Sequence, residues 1–161
     1  MSRKSKFAWD AQLGAADNAR QHLPALVAKF FKAGRKAARP GSSAEQMHAF
    51  RLAAKRFRYT LELFLPVYGP GLAKQIESIK RLQNHLGDVQ DREATRRLLA
   101  GLYGDGDGTL AKAMEKMTRE SQSRTRKFRK LWDAEFSPPE REQQWGRYLA
   151  RFVRRGPGLR R

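Results

Sequence analysis

No cysteine occurs in the 161 residues. Disulfides, zinc–thiolate sites and thiol nucleophiles are therefore excluded, and the redox compartment is left open. Acids are scarce: 16 Asp plus Glu stand against 34 Lys plus Arg, a formal charge of +18. Self-repulsion on that scale works against a compact state, and a polyanionic partner would relieve it. Nucleic acid, acidic lipid and inorganic polyphosphate all qualify. Valine is rare and no run alternates with period two, so strand signals are few. The longest apolar runs are a handful of residues, far short of the ~20 that span a bilayer. The start, MSRKSKFAWD, is positive but has no apolar run behind it, unlike a secretory signal. The expectation is a cytoplasmic protein that does not enter membranes. Against all this scarcity, the 40% hydrophobic content is too high for a disordered basic chain. It calls for one domain with a real core.

Apolar residues recur at helical spacing nearly everywhere. A first helix is expected over roughly Lys6 to Ala37, open to a break at Pro24, with Leu23, Leu26, Val27, Phe30 and Phe31 as its stripe. Pro40 and Gly41 interrupt the chain, and Ser42 with Glu45 has the spacing of a capping box. The second helix then runs to about Leu65. PVYGPG reads as a turn, and a third helix from Leu72 extends through Gly87 to about Leu102. YGDGDGT (Tyr103 to Thr109) is a loop that resembles a calcium loop only superficially, since the later ligands are missing. A fourth helix covers about Leu110 to Phe136, and Pro139 opens a last one ending near Arg154. The fold class is all-α, an antiparallel helical bundle of long helices and short loops. A single domain is expected over residues 1–155, with 156–161 a flexible basic tail. The six arginines from Arg147 onward serve either an anion-grasping arm or a solvated tail.

The second helix carries the chemistry. At ~100° per residue, His48, Arg51, Lys55 and Arg58 fall within an arc of about 80°, with Tyr59 beside them. Phe50, Ala53, Phe57, Leu61 and Phe64 occupy the opposite side, and Arg56 flanks the boundary. A solvated face normally mixes charges, because unlike i,i+4 pairs stabilise and like pairs destabilise by a few tenths of a kcal/mol. This face meets no acid before Glu62, so it reads as an anion-binding face, with a plain basic solvent face as the alternative. Lys74, Arg81 and Arg92 on the third helix and Lys112, Lys116, Arg119, Arg126 and Lys130 on the fourth repeat the sign opposite their apolar stripes; Lys80 lies between the faces. If all cores point inward, these outer faces build one extended positive surface. Arginine pairs with phosphate oxygens bidentately and lysine adds a mobile point charge. One histidine on the stripe makes no metal site. Paired carboxylates, an activated serine and a P-loop are all missing, and no catalytic residue, metal or cofactor is expected.

Two segments, HAFRLAAKRFRYTLELFLPVYG and LAKQIESIKRLQNHLGDVQDREATRRLL, resemble the CHAD domain, the conserved histidine α-helical domain. The first carries the family's His-x-x-Arg as His48 and Arg51. The second carries its Leu-Gln-x-x-Leu-Gly-Asp-x-x-Asp as Leu82, Gln83, Leu86, Gly87, Asp88 and Asp91. LWDAEF resembles the Trp-containing end of a later family helix. The resemblance implies two pseudo-symmetric four-helix halves whose basic helices line a cleft. It also implies binding of inorganic polyphosphate and association with polyphosphate granules. Transferred onto this chain, His48, Arg51, Lys55, Arg58 and Tyr59 face polyphosphate, joined by Arg56, Lys74, Lys80 and Arg81, which the motif does not fix. Asp88 and Asp91 pair with nearby arginines or cap helix ends, and Gly87 permits close helix approach or a bend.

The chain departs from the family in having one His-led basic helix where two are the rule, and it resembles the C-terminal half. A homodimer about a two-fold axis would restore both halves; alternatively the last helix covers the exposed face of a monomer. The expected function is a non-enzymatic polyphosphate-binding module. Rivals are a nucleic-acid-binding protein, an enzyme of phosphate metabolism, and a scaffold acting through another protein.

Overall fold

The computed structural model describes residues 10–102 and 108–151, except the side chains of 88–93, 96, 100, 102, 109 and 151. Six helices and no strand occur among the described residues: α1 (Ala15–Ala38), α2 (Ala44–Leu63), α3 (Leu65–Tyr68), α4 (Pro70–Leu102), α5 (Gly108–Glu135) and α6 (Arg141–Arg151). The all-α expectation holds. The tail at 156–161 and most of YGDGDGT lie outside the described residues, as do residues 6–9 of the expected first helix.

Within the described residues α1 starts later than its periodicity suggests, because Asn18 ties the preceding segment down. The Asn18 amide donates to the carbonyls of Asp10, Leu13 and Gly14 at 2.9, 3.0 and 3.2 Å, and its Oδ1 accepts from the Asp10 N–H at 2.9 Å. Asn18 itself is fully buried, so these bonds are what make a polar group tolerable there. Pro24 does not break α1. Leu23 and Val27 on either side of it are buried in the core, and packing outweighs the lost backbone bond. The helix stops where Arg39 turns extended before Pro40. The capping box forms one residue later than the sequence spacing indicates. Ser43 accepts from the Gln46 N–H at 3.2 Å, and Gln46 returns the bond to the Ser43 N–H at 3.0 Å. PVYGPG is not a plain turn: it contains the single-turn α3, a left-handed Gly69 (φ 72°) and the start of α4. Pro138 and Pro139 precede α6 rather than entering it.

α1, α2, α4 and α5 pack in ring order, each against the next, with α5 closing on α1. Short connections make the neighbours antiparallel. Aromatic rings fill the centre. Trp132 stacks on Phe136 at 5.3 Å and stands edge-on to Phe50 at 5.4 Å, while Phe30 lies 4.9 Å from Phe57. Close packing requires a glycine at position 34, since a Cβ there would run into the Trp132 ring. Gly87 faces open space, so the expectation of a close approach there is not met.

α6 returns along α1. Arg35 pairs with Glu142 near one end, and at the other the Tyr68 hydroxyl donates to the Leu149 carbonyl. Trp145 of α6 closes the aromatic centre against Phe31, Phe57 and Phe136.

Candidate anion-binding face

The phase of α2 follows from its buried residues. Met47, Phe50, Ala54, Phe57 and Leu61 point into the bundle. That leaves His48, Lys55 and Tyr59 exposed and Arg51 and Arg58 half-buried on the outer side. The capping box and Glu45 in the first turn hold the N-terminal end of this row in helical form. The Glu45 carboxyl is held below the usual carboxylate range, first by its own backbone N–H and then by Ser43.

Tyr59 organises the row. Its ring carries the Arg58 guanidinium at 4.6 Å and the Lys55 ammonium at 5.8 Å, a cation–π pairing that gathers both cations on one ring. Arg58 Nε also sits 3.7 Å from Glu62 Oε1, so the row's C-terminal cation is partly compensated. Among the described residues Arg51 and Lys55 have no carboxylate within ion-pair distance. In this row they are the Arg and Lys whose charge is left for a visiting anion.

The α4 candidates divide. Lys74, Ser78 and Arg81 lie on the flank of α4 turned to α5 and α6. Arg81 binds Glu135 of α5 through both carboxylate oxygens at 2.7 Å. Lys74 lines a cleft of about 330 Å³ with Glu135, Arg141 and Trp145. Lys80 is about 100° from Arg81 on the helix, on the flank turned to α2, and holds Glu77 at 2.7 Å. Lys80 therefore accompanies the α2 row, whereas Lys74 and Arg81 do not. Arg56 is exposed on the far side of the outer face from Arg51 and Arg58. α5 lies diagonally across the ring from α2, with α4 between them, so the cations of α5 are not neighbours of the α2 row.

One basic row escaped the sequence reading. Lys29, Lys32 and Lys36 of α1 border a groove of about 440 Å³ between α1 and α2, floored by Ala33, Ala49 and Phe50. Their spacing in KFFKAGRK was visible, but beside the apolar stripe of α1 it reads as an ordinary solvated edge. Among the described residues no group of three His, Asp or Glu side chains converges as metal ligands.

The family model of the CHAD domain matches residues 3–100. The chain belongs to the CHAD family. That match takes in the His48 row of α2 and most of α4, while α5 and α6 fall beyond it. The family is associated with polyphosphate. No curated protein and no solved structure matches the chain. Among the described residues no helix is long and apolar enough to cross a membrane. α6 seals the bundle along α1 and leaves the outer face of α2 uncovered.

Proposed function

We propose that this CHAD chain binds inorganic polyphosphate along the outer face of α2, through His48, Arg51, Lys55, Arg58 and Tyr59, with Lys80 of α4 beside them. The observation that carries the proposal is the single-sign row itself: Arg51 and Lys55 without acid partners, on a helix whose opposite side is locked in the core. A linear polyanion laid along such a row releases its counterions and is held by charge-assisted bonds. The protein is a binding module and not an enzyme, acting in the cytoplasm and on polyphosphate granules. Two copies about a two-fold axis supply the two basic helices of a full domain.

The test is a salt-titrated polyphosphate affinity for the wild type and for Arg51→Ala with Lys55→Ala. By analogy with DNA, losing two phosphate contacts lowers the slope of log K against log salt by about 2. Unchanged affinity and slope would show that the ligand lies elsewhere. The one exposed aromatic on the face, Tyr59, also suits base stacking, so single-stranded RNA is the competitor to run. Displacement at equal phosphate concentration moves the assignment to nucleic acid. Release of orthophosphate from long-chain polyphosphate with magnesium would make the protein an enzyme instead.

A further inference from the structure

Exposed large apolar side chains among the described residues are Leu52, Tyr59 and Leu63 of α2 and Leu98 of α4. The three on α2 fall on one stripe, at 48, 46 and 79% exposure. With Arg56 between them they spell Leu-x3-Arg-x2-Tyr-x3-Leu, positions 52, 56, 59 and 63. This alternation of four- and three-residue steps is the spacing of a coiled-coil seam. Among the described residues no helix packs on it, since α1, α4 and the core take the other sides of α2.

The stripe is also a palindrome in position. Read from either end, an apolar residue is followed by the central pair four residues on. An antiparallel copy of the same helix therefore sets Leu52 against the partner's Leu63 and Arg56 against the partner's Tyr59. The first contact is apolar, and the second places a guanidinium on an aromatic ring. At the edge of the seam, Lys55 faces the partner's Glu62, an opposite-charge pair. A two-fold axis satisfies every contact twice.

Such a rotation keeps equivalent flanks of the two helices on the same side of the pair. Tyr59 in the pair faces the partner helix rather than the ligand, and the rows of Arg51, Lys55 and Arg58 run side by side at the ~8–10 Å separation of packed helices. One helix pair covers less than the ~1,200 Å² of a stable interface, and the two cationic rows repel. A polyanion lying across both rows removes the repulsion and bridges the copies.

We propose that α2 pairs antiparallel with α2 of a second copy through Leu52, Arg56, Tyr59 and Leu63, and that a shared polyanion drives the pairing. The driving part rests on the polyphosphate reading above; the seam does not. Sedimentation velocity of the full chain should show dimer rising with long-chain polyphosphate, and a smaller rise with tripolyphosphate, which engages fewer cations of the two rows. Leu52→Gln with Leu63→Gln, which adds no charge beside the cationic row, should keep its helical circular dichroism and its tripolyphosphate affinity, and lose dimer at least roughly tenfold. If long-chain polyphosphate assembles this variant as well as the wild type, the seam is wrong.

The chain has no cysteine, so the register can be read separately, in 1 M salt without polyphosphate, where repulsion is screened. A mixture of Leu52→Cys and Leu63→Cys chains should form a disulfide heterodimer faster than either variant alone forms a homodimer. Faster homodimers overturn the antiparallel register. Heterodimer formation by chains that ignore polyphosphate would uphold the seam and overturn the ligand reading.

Discussion

At the scale of single residues, a few side chains carry consequences out of proportion to their size. Gly34 is one. In an exposed helix, Gly→Ala stabilises by about 1 kcal/mol, but at position 34 the new methyl meets the Trp132 ring, itself wedged among Phe30, Phe31 and Phe50. Gly34→Ala should therefore destabilise, by ~1–3 kcal/mol, read as a lower urea midpoint; a raised midpoint would mean that Trp132 has room to turn. Arg81 is another. Its charge is spent on Glu135 in an exposed bidentate pair, worth at most ~1 kcal/mol to the fold. Arg81→Ala should leave polyphosphate affinity within about twofold of wild type, in contrast to the loss expected from Arg51 and Lys55. Titration calorimetry on the two variants separates the flanks of α4.

At the scale of elements, α2 is the piece on which function depends, and its two ends are secured differently. The N-terminal end relies on the Ser43–Gln46 box. Ser43→Ala should cost about 1 kcal/mol and fray the turn that presents His48. Chemical denaturation measures the first effect, and amide exchange at Ala44 to Met47 the second; unaltered exchange would show that packing of Met47 and Phe50 is sufficient without the cap. The C-terminal end runs into α3 and Gly69, which swing the chain into α4. Most of this was legible beforehand. Both faces of α2 were read from residue spacing, because amphipathic phase is a property of one helix alone. Spacing places the cap one residue too early, since Ser42 and Ser43 are equivalent by composition and only backbone geometry selects between them. α3 reads as a turn in the sequence because four residues give no periodicity to detect.

At the scale of the whole molecule, the charge of +18 is carried by a bundle with a buried tyrosine contact between two of its helices. Tyr68 makes it. It is 5% exposed, donates to the Leu149 carbonyl and ties α3 to α6. Burial, then the neighbouring Tyr148, pushes its pKa up from 10.0 to about 12; burial raises Tyr148 too. Below pH 10 both folded and unfolded chains keep these protons, and the stabilisation is complete. Between pH 10 and 12 the unfolded chain ionises first, so stability falls as pH rises. The urea midpoint should drop across that window, and Tyr68→Phe should start lower and fall less steeply. Equal slopes for the two proteins would remove Tyr68 from the linkage.

The sequence by itself determined the helical class, the excess of cations, the inward and outward faces of α2, and motifs that agree with the CHAD match. Each is local, set by spacing along one helix or by composition. Tertiary structure decided which helices are neighbours. It turned Lys74 and Arg81 toward α5 and α6, left Lys80 on the side of α2, and put α5 diagonally across from the basic row. It also laid α6 along α1, leaving the stripe of Leu52, Tyr59 and Leu63 bare. Helical periodicity tells which residues share a face. Only packing tells what that face meets, because ring order depends on contacts between residues far apart in the chain.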